Sequence, residues 1–102
     1  MNVMTPVFTE QYRTACACTS NITQEDTKAL DSMLMQDCSM VARRPTGYFI
    51  KLYEHDDDSS NYYPAFSDAL NLILRVAAEQ GFRCIELDCA ANEVNNAVCF
   101  DW

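Results

Sequence analysis

The stretch from Pro64 to Gly81 constrains the fold most. Ala65, Phe66, Ala69, Leu70, Ile73, Leu74, Val76 and Ala77 recur at the spacing of one helix face, and Gly81 follows where a helix C-cap favours positive φ. Pro64 suits the first turn of such a helix, where its missing N–H would have no partner in any case. Directly afterwards the period changes to two. In Phe82 to Cys89, Ile85 and Leu87 point one way while Cys84, Glu86 and Asp88 point the other. A helix with one apolar stripe, joined through Gln80 and Gly81 to a strand with one apolar face, buries both by folding back on itself. The chain therefore predicts helices layered on a sheet.

The remaining segments fill in that plan. Residues 1–12 have no period, and Pro6 opposes a helix through them, so an irregular arm is expected. Residues 14–19 are small and partly β-prone and end at the turn signal Ser20-Asn21, predicting a short central strand. Thr23 then offers a capping hydroxyl ahead of Glu25 and Asp26, with Ala29, Leu30, Met33 and Leu34 at helical spacing, which places a first helix over 24–36. Cys38 to Arg43 and Gly47 to Glu54 read as a hairpin around Pro45 and Gly47. Its second strand alternates Tyr48, Ile50 and Leu52 with Phe49, Lys51 and Tyr53. Residues 54–61 hold no apolar side chain and read as a solvated loop, and Val98 to Phe100 reads as a last short strand. The order is β-α-β-β-α-β, the ferredoxin-like split motif. It predicts an α+β two-layer sandwich on an antiparallel sheet, with the first and last core strands adjacent in its middle and an extra C-terminal strand. At 102 residues the chain is expected to form a single domain over 1–102.

Charge narrows the partners. Fifteen acidic residues against seven basic ones give a net charge of −8, and only Arg43-Arg44 are adjacent, so direct nucleic-acid binding and anionic membrane surfaces are disfavoured. No targeting run is visible in the first residues, which points to a cytoplasmic chain. The six cysteines then read as free, partly buried thiols. Without a C-x-x-C pair and with only His55, no metal or other cofactor is expected.

The residues that could carry function are few. Asp56, Asp58 and Ser60 stand at alternate positions as at the start of a calcium loop, but Asn61 and Ser67 occupy the places that geometry reserves for Gly and a bidentate Glu. A solvated acidic loop is the simpler reading. Glu86 and Asp88 share a strand face and could act as an acid and base pair in a small hydrolase, although surface acids are commoner on strands. A cysteine-based metal or redox module would draw on Cys16, Cys18, Cys84 and Cys89. The favoured expectation is a non-enzymatic binding surface. It comprises Glu54, Asp56, Asp57 and Asp58 on the loop, with Phe49, Tyr53, Glu86 and Asp88 on an open sheet face that a partner or a second copy covers.

The Ser20-Asn21-Ile22-Thr23 entry into the first helix, Gly47-Tyr48-Phe49-Ile50, and the Glu79-Gln80-Gly81-Phe82 junction leading into Ile85-Glu86-Leu87-Asp88-Cys89 carry a resemblance, together with the terminal Phe100-Asp101-Trp102. They resemble an uncharacterised family of small proteins from bacterial plasmids, prophages and genomic islands, over about residues 14–102. Ala17-Cys18-Thr19-Ser20 departs from the Ser-Thr-Ala-His run associated with that family. The resemblance implies context and no catalytic residue. In that context, small acidic proteins resemble inhibitors of host defence, since a carboxylate-rich surface can compete with phosphates for a basic channel. The partner is then a host or mobile-element protein, contacted through the acidic loop.

Overall fold

The computed structural model describes residues 4–52 and 63–102, with β1 (Arg13–Cys18), α1 (Gln24–Met35), β2 (Val41–Arg44), β3 (Gly47–Lys51), α2 (Asp68–Glu79) and β4 (Phe82–Asp88) in chain order. α1 starts where the capping signal lies. The Thr23 hydroxyl accepts from the Asp26 N–H at 3.1 Å, and the Asp26 carboxylate accepts from the Thr23 N–H at 3.0 Å, so two orphan donors are satisfied reciprocally. Asp37, at φ 55°, ends the helix in the left-handed region.

α2 begins later than the apolar stripe suggests. Ser67 caps it by accepting from Leu70 N–H at 3.1 Å, and Tyr63 to Ser67 form a turn ahead of it. That turn is held by the buried Asn71, whose amide donates to the carbonyls of Tyr63, Phe66 and Ser67 and accepts from the Tyr63 N–H. Phe66 reaches the core from the turn and not from the helix, because an aromatic ring placed just before a cap can cover the same face as the helix it precedes.

The sheet order is β1-β4-β3-β2. β1 runs parallel to β4, while β4 with β3 and β3 with β2 are antiparallel. The α+β class and the β-α-β-β-α-β chain order agree with the sequence reading, and β1 and β4 are indeed neighbours. The all-antiparallel, ferredoxin-like arrangement is not observed: the sheet is mixed, and β1 is an edge strand instead of a central one. The tight junction at Gly81, φ 90°, makes β4 run back against α2. β4 is antiparallel to β3 as expected; the departure lies in β1, whose parallel place at the sheet edge depends on contacts distant along the chain that no local signal encodes. The expected strand at 98–100 is also absent, because the C-terminal segment is held to the β1–α1 junction by the Asn21 side chain and one isolated backbone bond from Phe100 N–H to the Ser20 carbonyl in place of a ladder.

Both helices cover one face of the sheet. Ala17 from β1, Val41 from β2, Tyr48 and Ile50 from β3 and Ile85 and Leu87 from β4 form one buried cluster with Ile22, Leu30, Leu70, Ile73 and Leu74. Each fully buried Leu or Ile there contributes about 1.5–3 kcal/mol relative to exposure. Gly47 is required by close approach. A Cβ at that position would lie 1.7 Å from the Leu87 carbonyl oxygen across the β3–β4 ladder.

Candidate functional site

The sheet face opposite the helices carries the residues singled out from the sequence. Cross-strand register sets Phe49 opposite Glu86, Lys51 opposite Cys84 and Gly47 opposite Asp88. On the other flank of β4, Thr14 lies opposite Cys84 and Cys16 opposite Glu86. Period-two alternation explains this grouping, since burying Ile85 and Leu87 turns Cys84, Glu86 and Asp88 outward.

Arg44 organises this face. Its guanidinium lies 2.7 Å from Asp88 Oδ2 and 3.6 Å from Glu86 Oε1, donates to Thr46 Oγ1, and sits 5.8 Å from the centre of the Phe49 ring. Asp88 also accepts from the Ala90 N–H at 2.9 Å. That backbone bond, followed by the Thr46 hydroxyl and Arg44, holds its carboxyl below the ordinary carboxylate range. Asp88 is thereby kept ionised, which suits an ion-pair partner and not a general acid. Phe49, Glu86 and Asp88 are brought together as expected. Tyr53, Glu54, Asp56, Asp57 and Asp58 lie outside the described residues.

The cysteines in the structure are free, and among the described residues no group of three or more His, Cys, Asp or Glu side chains is placed to hold a metal ion. Burial pushes the Cys84 thiol above its usual pKa. A hydrogen bond to Glu93, at 3.1 Å, does the same for Cys99. Both shifts oppose thiolate formation, the opposite of what a redox nucleophile requires.

Polar groups that no periodic pattern marks hold the β1–α1 junction and the C-terminal segment together. Asn21 is fully buried, donates to the Val98 carbonyl at 2.9 Å and accepts from the Val94 N–H at 2.9 Å. Phe100 N–H donates to the Ser20 carbonyl at 2.7 Å, and Trp102 Nε1 donates to the Ile22 carbonyl at 2.9 Å. The Ser-Asn-Ile-Thr and Phe-Asp-Trp segments that carried the sequence resemblance are therefore in direct contact. Trp102 also borders a shallow cleft of about 310 Å³ between the hairpin turn and the C-terminal segment, together with Thr19, Arg43, Thr46 and Tyr48. Asp26 was readable as a first-turn acid but not as a tie between helices. Its buried carboxylate also accepts from Ser67 N–H at 2.7 Å and Ser67 Oγ at 2.6 Å. The only local signal for any of these was a polar residue next to an element boundary.

These features define a small α+β domain with one open, charged sheet face and an irregular C-terminal segment pinned by a buried asparagine. The chain belongs to a family of unknown function, DUF5983, whose C-terminal domain matches residues 14–102. No curated protein and no solved structure matches it. Among the described residues no helix is long and apolar enough to cross a membrane.

Proposed function

We propose that this chain is a non-enzymatic protein-binding module. Its partner-facing surface is the open sheet face around Phe49, Glu86 and Asp88, extended by Tyr53 and the acidic Glu54, Asp56, Asp57 and Asp58. The observation that carries this reading is that both helices lie on one side of the sheet, which leaves the half-buried Phe49 ring, opposite Glu86 and 5.8 Å from the Arg44 guanidinium, on the other. An uncovered mixed aromatic and charged sheet face is the composition of an interface more than of a solvated surface.

The net charge of −8 favours a basic partner surface, approached by long-range attraction. Because Arg44 partly offsets Glu86 and Asp88, the four acids Glu54, Asp56, Asp57 and Asp58 are the densest run of negative charge in the sequence available for that encounter. The setting we propose is the cytoplasm of a bacterium carrying a mobile element, and the partner class is a host defence or nucleic-acid-processing complex whose basic channel the carboxylates occupy.

The test is affinity capture from bacterial lysate with the tagged chain, washed at low and at high salt, alongside two variants. A nuclease, restriction subunit or surveillance complex that is shed at high salt supports the reading, provided that Asp56, Asp57 and Asp58 changed together to Asn, and Phe49→Ala separately, both weaken its retention. A partner held equally by the wild type and both variants sinks it.

A further inference from the structure

The sheet topology gathers three strand ends at the cleft that Trp102 borders. β1 and β4 run the same way, and β2, antiparallel to β3 as β3 is to β4, shares their direction. Their carboxyl ends therefore meet at one edge of the sheet. Thr19 follows β1, Cys89 follows β4 and Arg44 closes β2, and all three line the cleft of about 310 Å³. The convergence exists because β1 is parallel to β4. In sheets with parallel strands, ligands bind in the crevice outside the carboxyl ends. The volume is that of a small-molecule site at the lower end of its range of about 300–1,000 Å³.

Two side chains at this cleft are placed for a ligand and are not used up within the chain. Trp102 donates from Nε1 to the Ile22 carbonyl at 2.9 Å, which fixes the ring, yet the residue is 54% exposed. An indole already held in place, with half its surface in water, offers stacking area at little further cost in conformational entropy. Arg43 is exposed and has no ion-pair partner among the described residues, where both ion pairs belong to Arg44. It lies opposite Tyr48 in the β2–β3 register, on the helix side of the sheet, whereas Arg44 serves the open face. The Asp31 carboxylate on that side accepts from the Tyr48 hydroxyl at 2.7 Å and makes no ion pair with Arg43. The hydroxyls of Thr19 and Thr27 complete the polar lining.

We propose that this cleft binds a nucleoside monophosphate, with the base stacked on Trp102, the phosphate on Arg43 and the ribose hydroxyls toward Thr19 and Thr27. A flat ring alone would use only the indole, and an inorganic anion only the guanidinium. A nucleotide uses both, since every base has a face that stacks on an aromatic ring and the guanidinium fork matches phosphate oxygens. The net charge of −8 repels a polynucleotide backbone, whereas one phosphate needs one cation. The site does not rest on the partner face around Phe49. Arg44 borders both, but it is held by Glu86 and Asp88, and Arg43 carries the charge proposed here.

Trp102 is the one tryptophan of the chain, so its fluorescence, excited beyond the absorption of the five tyrosines, reports on the cleft alone. The full chain is titrated with AMP, GMP, CMP and UMP, with the matching nucleosides, and with inorganic phosphate. At least one monophosphate should quench the emission saturably, with half-saturation below roughly 1 mM. Removing the phosphate from that ligand, or the guanidinium by Arg43→Gln, should each weaken binding by about tenfold. Doing both should cost little more than either, because the two changes break the same contact. Arg43 is exposed, so the variant should keep the circular dichroism spectrum of the wild type. Phe49→Ala should bind the nucleotide as the wild type does. The absence of saturable quenching by all four monophosphates at roughly 10 mM overturns the proposal. So does binding indifferent to Arg43→Gln or to loss of the phosphate, inorganic phosphate that saturates at the same concentration, or binding lost in Phe49→Ala, which assigns the ligand to the open face.

Discussion

Replacing Asp26 by Ala removes one carboxylate that two helices share. In the native chain it accepts from Thr23 N–H at 3.0 Å, Ser67 N–H at 2.7 Å and Ser67 Oγ at 2.6 Å, and it is 1% exposed. A hydrogen bond to a charged group contributes about 1.5–3 kcal/mol, and a carboxylate at a helix N-terminus adds about 0.3–1 kcal/mol. Straight addition overcounts, because the three bonds share one acceptor and the freed donors regain some water, so the net loss is roughly 4 kcal/mol. Against a total stability of about 5–15 kcal/mol for a natural domain, that is a large fraction. At about 4–8 °C per kcal/mol for this chain length, Tm should fall by about 15–30 °C. Urea titration followed by far-ultraviolet circular dichroism reads the same quantity near room temperature.

The shared carboxylate also predicts coupling. Ser67→Ala alone removes the α2 cap and one donor to Asp26, costing about 1–2 kcal/mol. In that background Asp26→Ala has one bond fewer to lose, so the double variant should be more stable than additivity requires by about 1–2 kcal/mol. A loss below about 1 kcal/mol for Asp26→Ala would refute the reasoning. Strict additivity with Ser67→Ala would refute the claim that Asp26 ties α1 to α2.

Gly47→Ala drives a Cβ to within 1.7 Å of the Leu87 carbonyl oxygen and should cost at least about 3 kcal/mol in urea, or prevent folding. Gly81→Ala meets open space but keeps a φ of 90°, and should cost only about 1–2 kcal/mol. Asp88 has a folded pKa below its ordinary value, so its stabilising contribution is present above the unfolded pKa and disappears as pH falls through the folded one. Thermal melts across pH should accordingly show Asp88→Asn less stable than the wild type near neutrality, with the gap closing in acid; a gap that is constant with pH contradicts the assignment. Trp102→Phe keeps an aromatic ring but loses the 2.9 Å bond to the Ile22 carbonyl, and should lower stability by about 1 kcal/mol in urea titration.

Much of the fold was legible because it rests on local chemistry. The capping box at Thr23 and Asp26 depends on side chains within a few residues of the backbone groups they satisfy, and the end of α2 on the backbone freedom of Gly81 at φ 90°, just after the cap residue Gln80. The outward set Phe49, Glu86 and Asp88 follows from alternation alone. The start of α2 was misread for a definite reason. Pro64, Ala65 and Phe66 are compatible with the helical stripe, and only Ser67 with Asn71 shows that the first helical residue is Asp68. The terminal segment was misread similarly: Val98 to Phe100 has strand composition, yet its carbonyl and amide partners are Asn21 and Ser20 at the far end of the chain.

The sequence by itself determined the approximate places of α1, α2 and β1 to β4, which side of each is apolar, and which side chains therefore share the open face, because those properties repeat with the period of the backbone. Only the tertiary structure decided that β4 lies between β1 and β3, that β1 is an edge strand, and that Arg44 is spent on Glu86 and Asp88. Those outcomes depend on contacts between residues distant along the chain. Strand order and direction follow from where connections begin and end, and an ion pair follows from cross-strand distance; neither leaves a periodic trace in one dimension.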